Sequence, residues 1–126
     1  MKRAYVDSSC LVGVALGEGA AARLRKRLLG FDQLFSSNLL EAEVRSALRR
    51  EGVTGEEDLL SWVDWVIPSR PLSGEMRTVL DTGYLRGADL WHLATALYLA
   101  PDPAELSFLT LDERQAAVAR ALGFPA

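Results

Sequence analysis

Short apolar runs alternate along the chain with longer segments of helical periodicity, and this alternation limits the possible folds more than any other feature. Residues 2–6, 33–36 and 106–110 have the length and composition of buried strands. Residues 38–50, by contrast, repeat their apolar side chains at helical spacing. Strands that alternate with helices predict an α/β domain with a mainly parallel sheet and right-handed crossovers.

The predicted helices differ in how much of their surface is apolar. Residues 87–100 are apolar nearly all round, which predicts a buried central helix. A helix that begins at Ser73 is expected to bury one side, formed by Met76, Val79, Leu80 and Tyr84. Further helices are expected at residues 8–16 and 20–29, and between Asp112 and Gly123.

Three pairs of polar residues have the spacing of a capping box, in which each member bonds the other's backbone N–H. They are Asn38 with Glu41, Thr54 with Glu57, and Asp112 with Gln115. The second pair predicts a helix that runs through Val63. A third strand is expected just beyond it, at residues 65–68, although Trp62 and Trp65 fit a continued helix equally well.

Size and charge limit the class of protein. A chain of 126 residues fits one compact domain, here residues 1–126, and 49% hydrophobic with 25% charged residues is ordinary for a globular protein. The formal net charge is −3 and the pI about 5.1, so no overall basic field attracts nucleic acid. Any nucleic-acid role therefore depends on a local patch or on bound cations.

Cysteine use and hydropathy bear on the compartment. Cys10 is the single cysteine, which excludes an intrachain disulfide and a zinc site built from several thiolates. Asp7 interrupts the N-terminal apolar run that would otherwise resemble a signal peptide. No stretch approaches the roughly 20 apolar residues of a membrane helix. We therefore expect a cytoplasmic protein that does not interact with membranes.

Four acidic residues share one placement relative to the predicted elements. Asp7 and Asp112 directly follow strands, and Glu43 and Asp89 lie early in helices. In a parallel sheet these points lie at the same edge, where ligands bind in open α/β folds. The alternative is that each acid only stabilises the N-terminus of its own helix. That alternative accounts poorly for Glu43 and for the apolar surroundings of Asp89.

Carboxylates gathered at one edge would repel one another unless a cation lay between them. Oxygen ligands favour Mg²⁺ or Mn²⁺ over zinc. Such an ion suits phosphodiester hydrolysis, because it activates water and stabilises the charge that develops on the reacting oxygens. It also offers an acidic chain a way to bind a polyanion.

Four segments resemble, in order, the motifs of PIN-domain ribonucleases, and among these the VapC-type toxins of toxin–antitoxin pairs. They are residues 5–9 (YVDSS), 40–44 (LEAEV), 88–96 (ADLWHLATA) and 108–114 (FLTLDER). The resemblance implies a three-layer α/β/α sandwich, an acidic Mg²⁺ or Mn²⁺ pocket and endonucleolytic RNA cleavage. It also implies a homodimer that is neutralised by a cognate VapB-type antitoxin.

The same resemblance assigns roles residue by residue. Asp7, Asp89 and Asp112 would be the nearer metal ligands, and Glu43 would position water or a second ion. Thr110 matches a frequent hydroxyl position near the fourth acid, Asp112, and Ser8 or Ser9 would hold Asp7 in place. The alternative is that these hydroxyl residues only end a strand and begin a helix. His92, the only histidine, matches a frequent family position but is expected to pack or to form a local hydrogen bond.

Other classes of protein also place acidic residues at the end of a parallel sheet. A receiver domain needs a lysine after a late strand, and no lysine follows Lys26. A phosphatase with an aspartyl nucleophile needs an acid where Ser9 stands. The stronger alternative is a catalytically silent PIN-like module that binds RNA or a protein partner. Two roles are open for a set of apolar residues: they form a surface that binds the antitoxin, or they belong to the core. These residues are Leu11, Val14, Leu59, Trp62 and Val63.

Overall fold

A computed structural model describes residues 1–17 and 19–126 of the chain. At its centre lies a parallel sheet whose strands are β1 (Arg3–Val6), β2 (Gln33–Ser37), β3 (Val63–Val66) and β4 (Ser107–Leu109). Their order across the sheet is β3-β2-β1-β4. In the register of the two pairings that β1 makes, Tyr5 stands beside Phe35 of β2 and Phe108 of β4.

The helices of the described residues connect these strands. They are α1 (Ser8–Leu16), α2 (Ala21–Leu29), α3 (Leu39–Glu51), α4 (Glu56–Leu60), α5 (Ser73–Thr82), α6 (Gly87–Leu99) and α7 (Glu113–Leu122). A single 3-10 turn, Pro103–Glu105, precedes β4. None of the described helices has the length and apolar character that crossing a membrane requires.

The alternation of side chains along β1 divides the core into two clusters. Ala4 and Val6 point to one face of the sheet and pack with buried residues of α1 to α4. Tyr5 points to the other face and packs with buried residues of α5 to α7. The chain is therefore a three-layer α/β/α sandwich around a parallel sheet, and the predicted fold class is confirmed.

The third strand begins earlier than predicted. Helix α4 ends at Leu60, and Val63 belongs to β3 instead of the preceding helix. Val63 pairs with Leu34 of β2, and Val63 and Val66 are both buried. Pairing with β2 thus gives the β-branched residues a buried face, which a continued helix would not provide. Trp62 lies outside the helix and packs against the first cluster.

The three predicted capping boxes do not form. Asn38 is itself helical, with φ −65° and ψ −16°, and its side chain makes no cap; the N–H of Leu39 donates to Ser37 Oγ instead. At α4 the cap position belongs to Gly55, whose φ of 104° is in the left-handed region that favours glycine. Glu41 and Glu57 both bind Arg45.

The third pair forms half of the predicted motif. Asp112 caps α7, because its carboxylate accepts the Gln115 N–H at 2.8 Å. The Gln115 side chain does not return to Asp112 but donates to the carbonyl oxygen of Asp89 at 3.3 Å. One buried polar side chain is thus directed at the neighbouring helix α6.

One expectation about exposed surface needs correction. Val79 of α5 is buried, but Leu80 and Tyr84 are 44% and 67% exposed, so the apolar side of this helix is narrower than predicted. Of the two roles left open for Leu11, Val14, Leu59, Trp62 and Val63, the structure favours the core: Leu11, Leu59 and Val63 are buried in the first cluster, and Val14 and Trp62 pack against it. The central position of α6 is confirmed by five consecutive buried residues, 92–96.

Candidate metal and active site

Asp7 lies at the carboxyl end of the central strand β1 and is only 4% exposed. Its carboxylate accepts the N–H of Ser9 at 3.3 Å and the hydroxyl of Thr110 at 3.2 Å. The Asp7 N–H donates to the carbonyl of Leu109 in the neighbouring strand. Two hydrogen bonds to the carboxylate and one from the backbone thus fix Asp7 in position before any ligand binds.

Ser9 and Thr110 both contact Asp7, and Thr110 Oγ1 also accepts the Asp112 N–H at 3.1 Å. The Ser9 hydroxyl lies 3.4 Å from Thr110 Oγ1 and accepts the Leu111 N–H at 2.9 Å, so the loop after β4 is tied to the start of α1. Ser8 begins α1, and no hydrogen bond from it to Asp7 is found among the described residues. The supporting serine is therefore Ser9 and not Ser8.

Glu43 and His92 meet Asp7 at the same edge. His92 Nε2 lies 2.6 Å from Glu43 Oε1 and 3.6 Å from Asp7 Oδ1. Ligand atoms of these three side chains all lie within 4.8 Å of one another, and no other such group occurs in the described part of the chain. Glu43 reaches the edge from α3 and His92 from α6, so two helices on opposite faces of the sheet deliver them.

Tyr5 supports His92 from inside the second cluster. The Tyr5 hydroxyl accepts the Ser37 N–H at 2.9 Å and lies 2.7 Å from His92 Nδ1. Burial raises the pKa of Tyr5 to about 12, so the phenol keeps its proton and donates it to Nδ1. A neutral imidazole whose Nδ1 accepts this proton has its own N–H at Nε2, the atom that faces Glu43.

Neither this connection nor the role of Tyr5 follows from the sequence motifs. His92 is fully buried, but its hydrogen bonds reach Tyr5 and Glu43, 87 and 49 positions away, and are not the local bond expected of it. A buried tyrosine generally finds a partner for its hydroxyl. The strand period places Tyr5 on the face that α6 covers, so the available signal was the coincidence of one buried tyrosine and one histidine.

Asp89 and Asp112 occupy the adjoining cavity. They line a space of about 320 Å³ together with Leu85, Arg86 and Arg114. Gln115, which is fully buried, links the two acids, since its N–H donates to Asp112 and its amide to the Asp89 carbonyl. The spacing between the starts of α6 and α7 is thus held by one side chain.

The pKa of Asp89 depends on acids of both groups, the one with Asp7 and Glu43 and the one with Asp112. Burial raises the pKa of the Asp89 carboxyl, and the charges of Asp7 and Asp112 raise it further. The position of Asp89 in the first turn of α6 would by itself lower this pKa, because the helix dipole favours a charged carboxylate there. The neighbouring acids and burial dominate, as expected when negative charges gather without a cation.

The structure therefore brings the four predicted acids to one edge but not into one tight cluster. Asp7 and Glu43 lie together with His92, while Asp89 and Asp112 share the cavity beside them. Asp7 and Asp112 also cap their own helices, as the simpler interpretation requires. Helix capping explains neither the position of Glu43 beside Asp7 nor the raised pKa of Asp89. The assignment of the four as catalytic residues stays a prediction.

Comparison with known proteins agrees with this geometry. The sequence model of the PIN domain matches residues 4–121, so the chain belongs to the PIN domain family. No curated protein and no solved structure matches the chain. Membership of this family suggests nuclease activity, and the side chains at the sheet edge include a group that could hold a metal ion.

Proposed function

We propose that this chain is a divalent-metal-dependent endoribonuclease that hydrolyses phosphodiester bonds of RNA. One observation carries the proposal: a nearly buried carboxylate, Asp7, faces Glu43 and raises the pKa of Asp89, and no lysine or arginine in the described part of the chain forms an ion pair with it. Burying a charge without a compensating cation is costly. A structure that tolerates such a group is suited to receive the cation from solution.

The donor set fits Mg²⁺ or Mn²⁺, because it consists mainly of carboxylate oxygens. Asp7, Asp89 and Asp112 are proposed as the ligands, with Glu43 beside them. A divalent ion held there supplies a Lewis acid that activates water and stabilises charge on the phosphoryl oxygens. His92 is assigned to positioning, since its Nε2–H is already engaged by Glu43.

The remaining residues keep the acids in place. Ser9 and Thr110 donate to Asp7 and thereby fix its rotamer. His92 holds one oxygen of Glu43 and leaves the other available to orient a water molecule. Gln115 maintains the relation between Asp89 and Asp112. These supports lie in the buried or half-buried layer behind the carboxylates.

Cleavage of labelled structured and unstructured RNAs, in Mg²⁺, in Mn²⁺ and in EDTA, tests the proposal. We expect Asp7→Asn and Asp89→Asn each to lower the rate at least about 100-fold, since even outer supports of metal sites contribute 10–100-fold. Asp64→Asn, at an exposed position of β3, is the matched control and should keep full activity. Equal rates for the wild type and both site variants would refute the nuclease assignment.

Within this activity we propose the role of a VapC-type toxin in the cytoplasm, a homodimer neutralised by a VapB-type antitoxin. The support is the ordered set of motifs that resembles this group of PIN ribonucleases. We expect expression of the chain to arrest growth, co-expression of the gene's upstream neighbour to relieve the arrest, and the two products to copurify. Sedimentation should give twice the chain mass of 13.8 kDa. Harmless expression of an active enzyme would count against a toxin.

The silent-module alternative makes a different prediction in the same assays. Such a module would bind RNA or a protein partner and would do so equally well after Asp7→Asn. The Asp7–Glu43 pair favours the enzyme, because a binding role alone has no need for a buried carboxylate within 4.8 Å of a second, half-buried one.

A further inference from the structure

Two arginines line the cavity that contains Asp89 and Asp112. Arg86 lies at the start of α6, three residues before Asp89, and Arg114 lies in the first turn of α7, two residues after Asp112. Both are exposed residues. The cavity thus has a carboxylate and a guanidinium from each of two helices.

These arginines are not engaged by the acids beside them. Some arginines of the structure do pair with nearby carboxylates: Arg45 binds Glu41 and Glu57, and Arg70 binds Glu75 at 2.6 Å. Within the described residues, neither Arg86 nor Arg114 forms such a pair. The two guanidinium groups therefore keep their charge available at the cavity that Asp89 and Asp112 also line.

We propose that Arg86 and Arg114 form a phosphate-binding subsite that holds the RNA backbone next to the carboxylates. The inference rests on the proposed ribonuclease function and names the residues that bind its substrate. A chain of net charge −3 repels a polyanion, so local cations must offset the acids where the strand approaches. Arginine suits this role because its planar fork donates two parallel hydrogen bonds to one phosphate.

The presence of both charges explains how one cavity can bind both a divalent ion and the RNA backbone. The carboxylates are matched to a divalent ion, and the guanidinium groups to phosphates that flank the scissile bond. Contacts of this kind position a strand without reading its sequence. The two arginines are thus positioning residues that set substrate affinity.

Salt-dependent binding tests the subsite. A fluorescent single-stranded oligoribonucleotide is titrated with Asp7→Asn protein, which should not cleave it, over 50–200 mM salt and at fixed Mg²⁺, with folding checked by circular dichroism. We expect Arg86→Gln and Arg114→Gln each to reduce the slope of log K against log salt by about 0.7, the value for one phosphate contact on a single strand. Arg86→Lys should keep the slope but lose affinity, since it keeps the charge and loses the fork.

Arg120→Gln is the matched control. Arg120 is an exposed arginine of α7 that lies outside the cavity, and its removal changes the net charge equally. We expect its salt slope and affinity to equal those of the parent protein. In the otherwise wild-type enzyme, Arg86→Gln and Arg114→Gln should raise KM several-fold and leave kcat nearly unchanged, a split that general damage to the fold would not produce.

The possible outcomes separate this inference from the proposed function. Slopes and KM values equal to those of Arg120→Gln would overturn the subsite while cleavage by the wild type upheld the nuclease. Binding through the arginines without any cleavage would uphold the subsite and overturn the nuclease. A protein that binds no RNA overturns both. Competition by inorganic phosphate as strong as that of the oligonucleotide would overturn the assignment to a nucleic-acid strand.

Discussion

Replacing Tyr5 with phenylalanine tests the hydrogen-bonded connection behind the candidate site. The ring should remain in place, because it stacks on Phe108 with centroids 5.4 Å apart and contacts His92 edge-on at 5.7 Å. Only the hydroxyl oxygen is lost. Its loss leaves two buried groups without their partner, the N–H of Ser37 and Nδ1 of His92.

The expected cost follows from those two groups. Each buried polar group left unsatisfied costs about 1–3 kcal/mol, so Tyr5→Phe should lower the free energy of unfolding by about 2–6 kcal/mol. That is a large part of the roughly 5–15 kcal/mol that a domain of this kind has. The space left by one oxygen atom is too small to admit a water molecule that could replace the lost bonds.

Urea unfolding followed by the fluorescence of the three tryptophans measures this loss. The m value should stay constant, since the same surface becomes exposed on unfolding. Tyr84→Phe is the control: this tyrosine is 67% exposed, and its change should stay within about 0.5 kcal/mol. Nitrogen NMR of His92 should show the proton on Nε2 in the wild type and a weakened preference in the variant.

Either of two results would refute the reasoning about Tyr5. A loss below about 1 kcal/mol with an unchanged m value would mean that Ser37 and His92 find other partners. A proton found on Nδ1 in the wild type would likewise contradict the direction of the hydrogen bonds.

Three further predictions concern charge, packing and metal. In EDTA, Asp89→Asn should be more stable than the wild type, because the raised pKa of folded Asp89 means that the fold disfavours its charged form. The difference in urea midpoint should therefore grow as the pH rises above about 4, the ordinary aspartate pKa. A difference that does not change with pH would contradict this. Gly83→Ala should cost about 1–3 kcal/mol, since its Cβ would lie 2.8 Å from Val118 Cγ2, whereas Gly74→Ala meets open space and should cost little in thermal unfolding. Mn²⁺ at about 100 times its Kd should stabilise the wild type by about 2.7 kcal/mol in calorimetry and leave Asp7→Asn unchanged; equal stabilisation of both would place the ion elsewhere.

The layered fold was accessible from local patterns. The strand 33–36 and the helix 8–16 were recognisable because hydrophobic period and length are properties of neighbouring residues. The capping boxes failed for the converse reason. Arg45, distant in sequence from Glu57, competes for its carboxylate, and a spacing rule contains no information about such a competitor.

The candidate site divides in the same way. That acids stand at strand ends and early in helices was visible in the chain itself, and parallel topology then places Asp7, Glu43, Asp89 and Asp112 at one edge. Which of them come within bonding distance was not visible. Tyr5 meets His92 across 87 positions and His92 meets Glu43 across 49, so these contacts exist only after the two helical layers pack on the sheet. Periodicity is a property of neighbouring residues along the chain, whereas the distances that govern hydrogen bonds, pKa values and metal binding arise from packing between elements. The sequence pattern therefore predicted that the four acids lie at one edge of the sheet, and only the packing determined which side chains contact one another there.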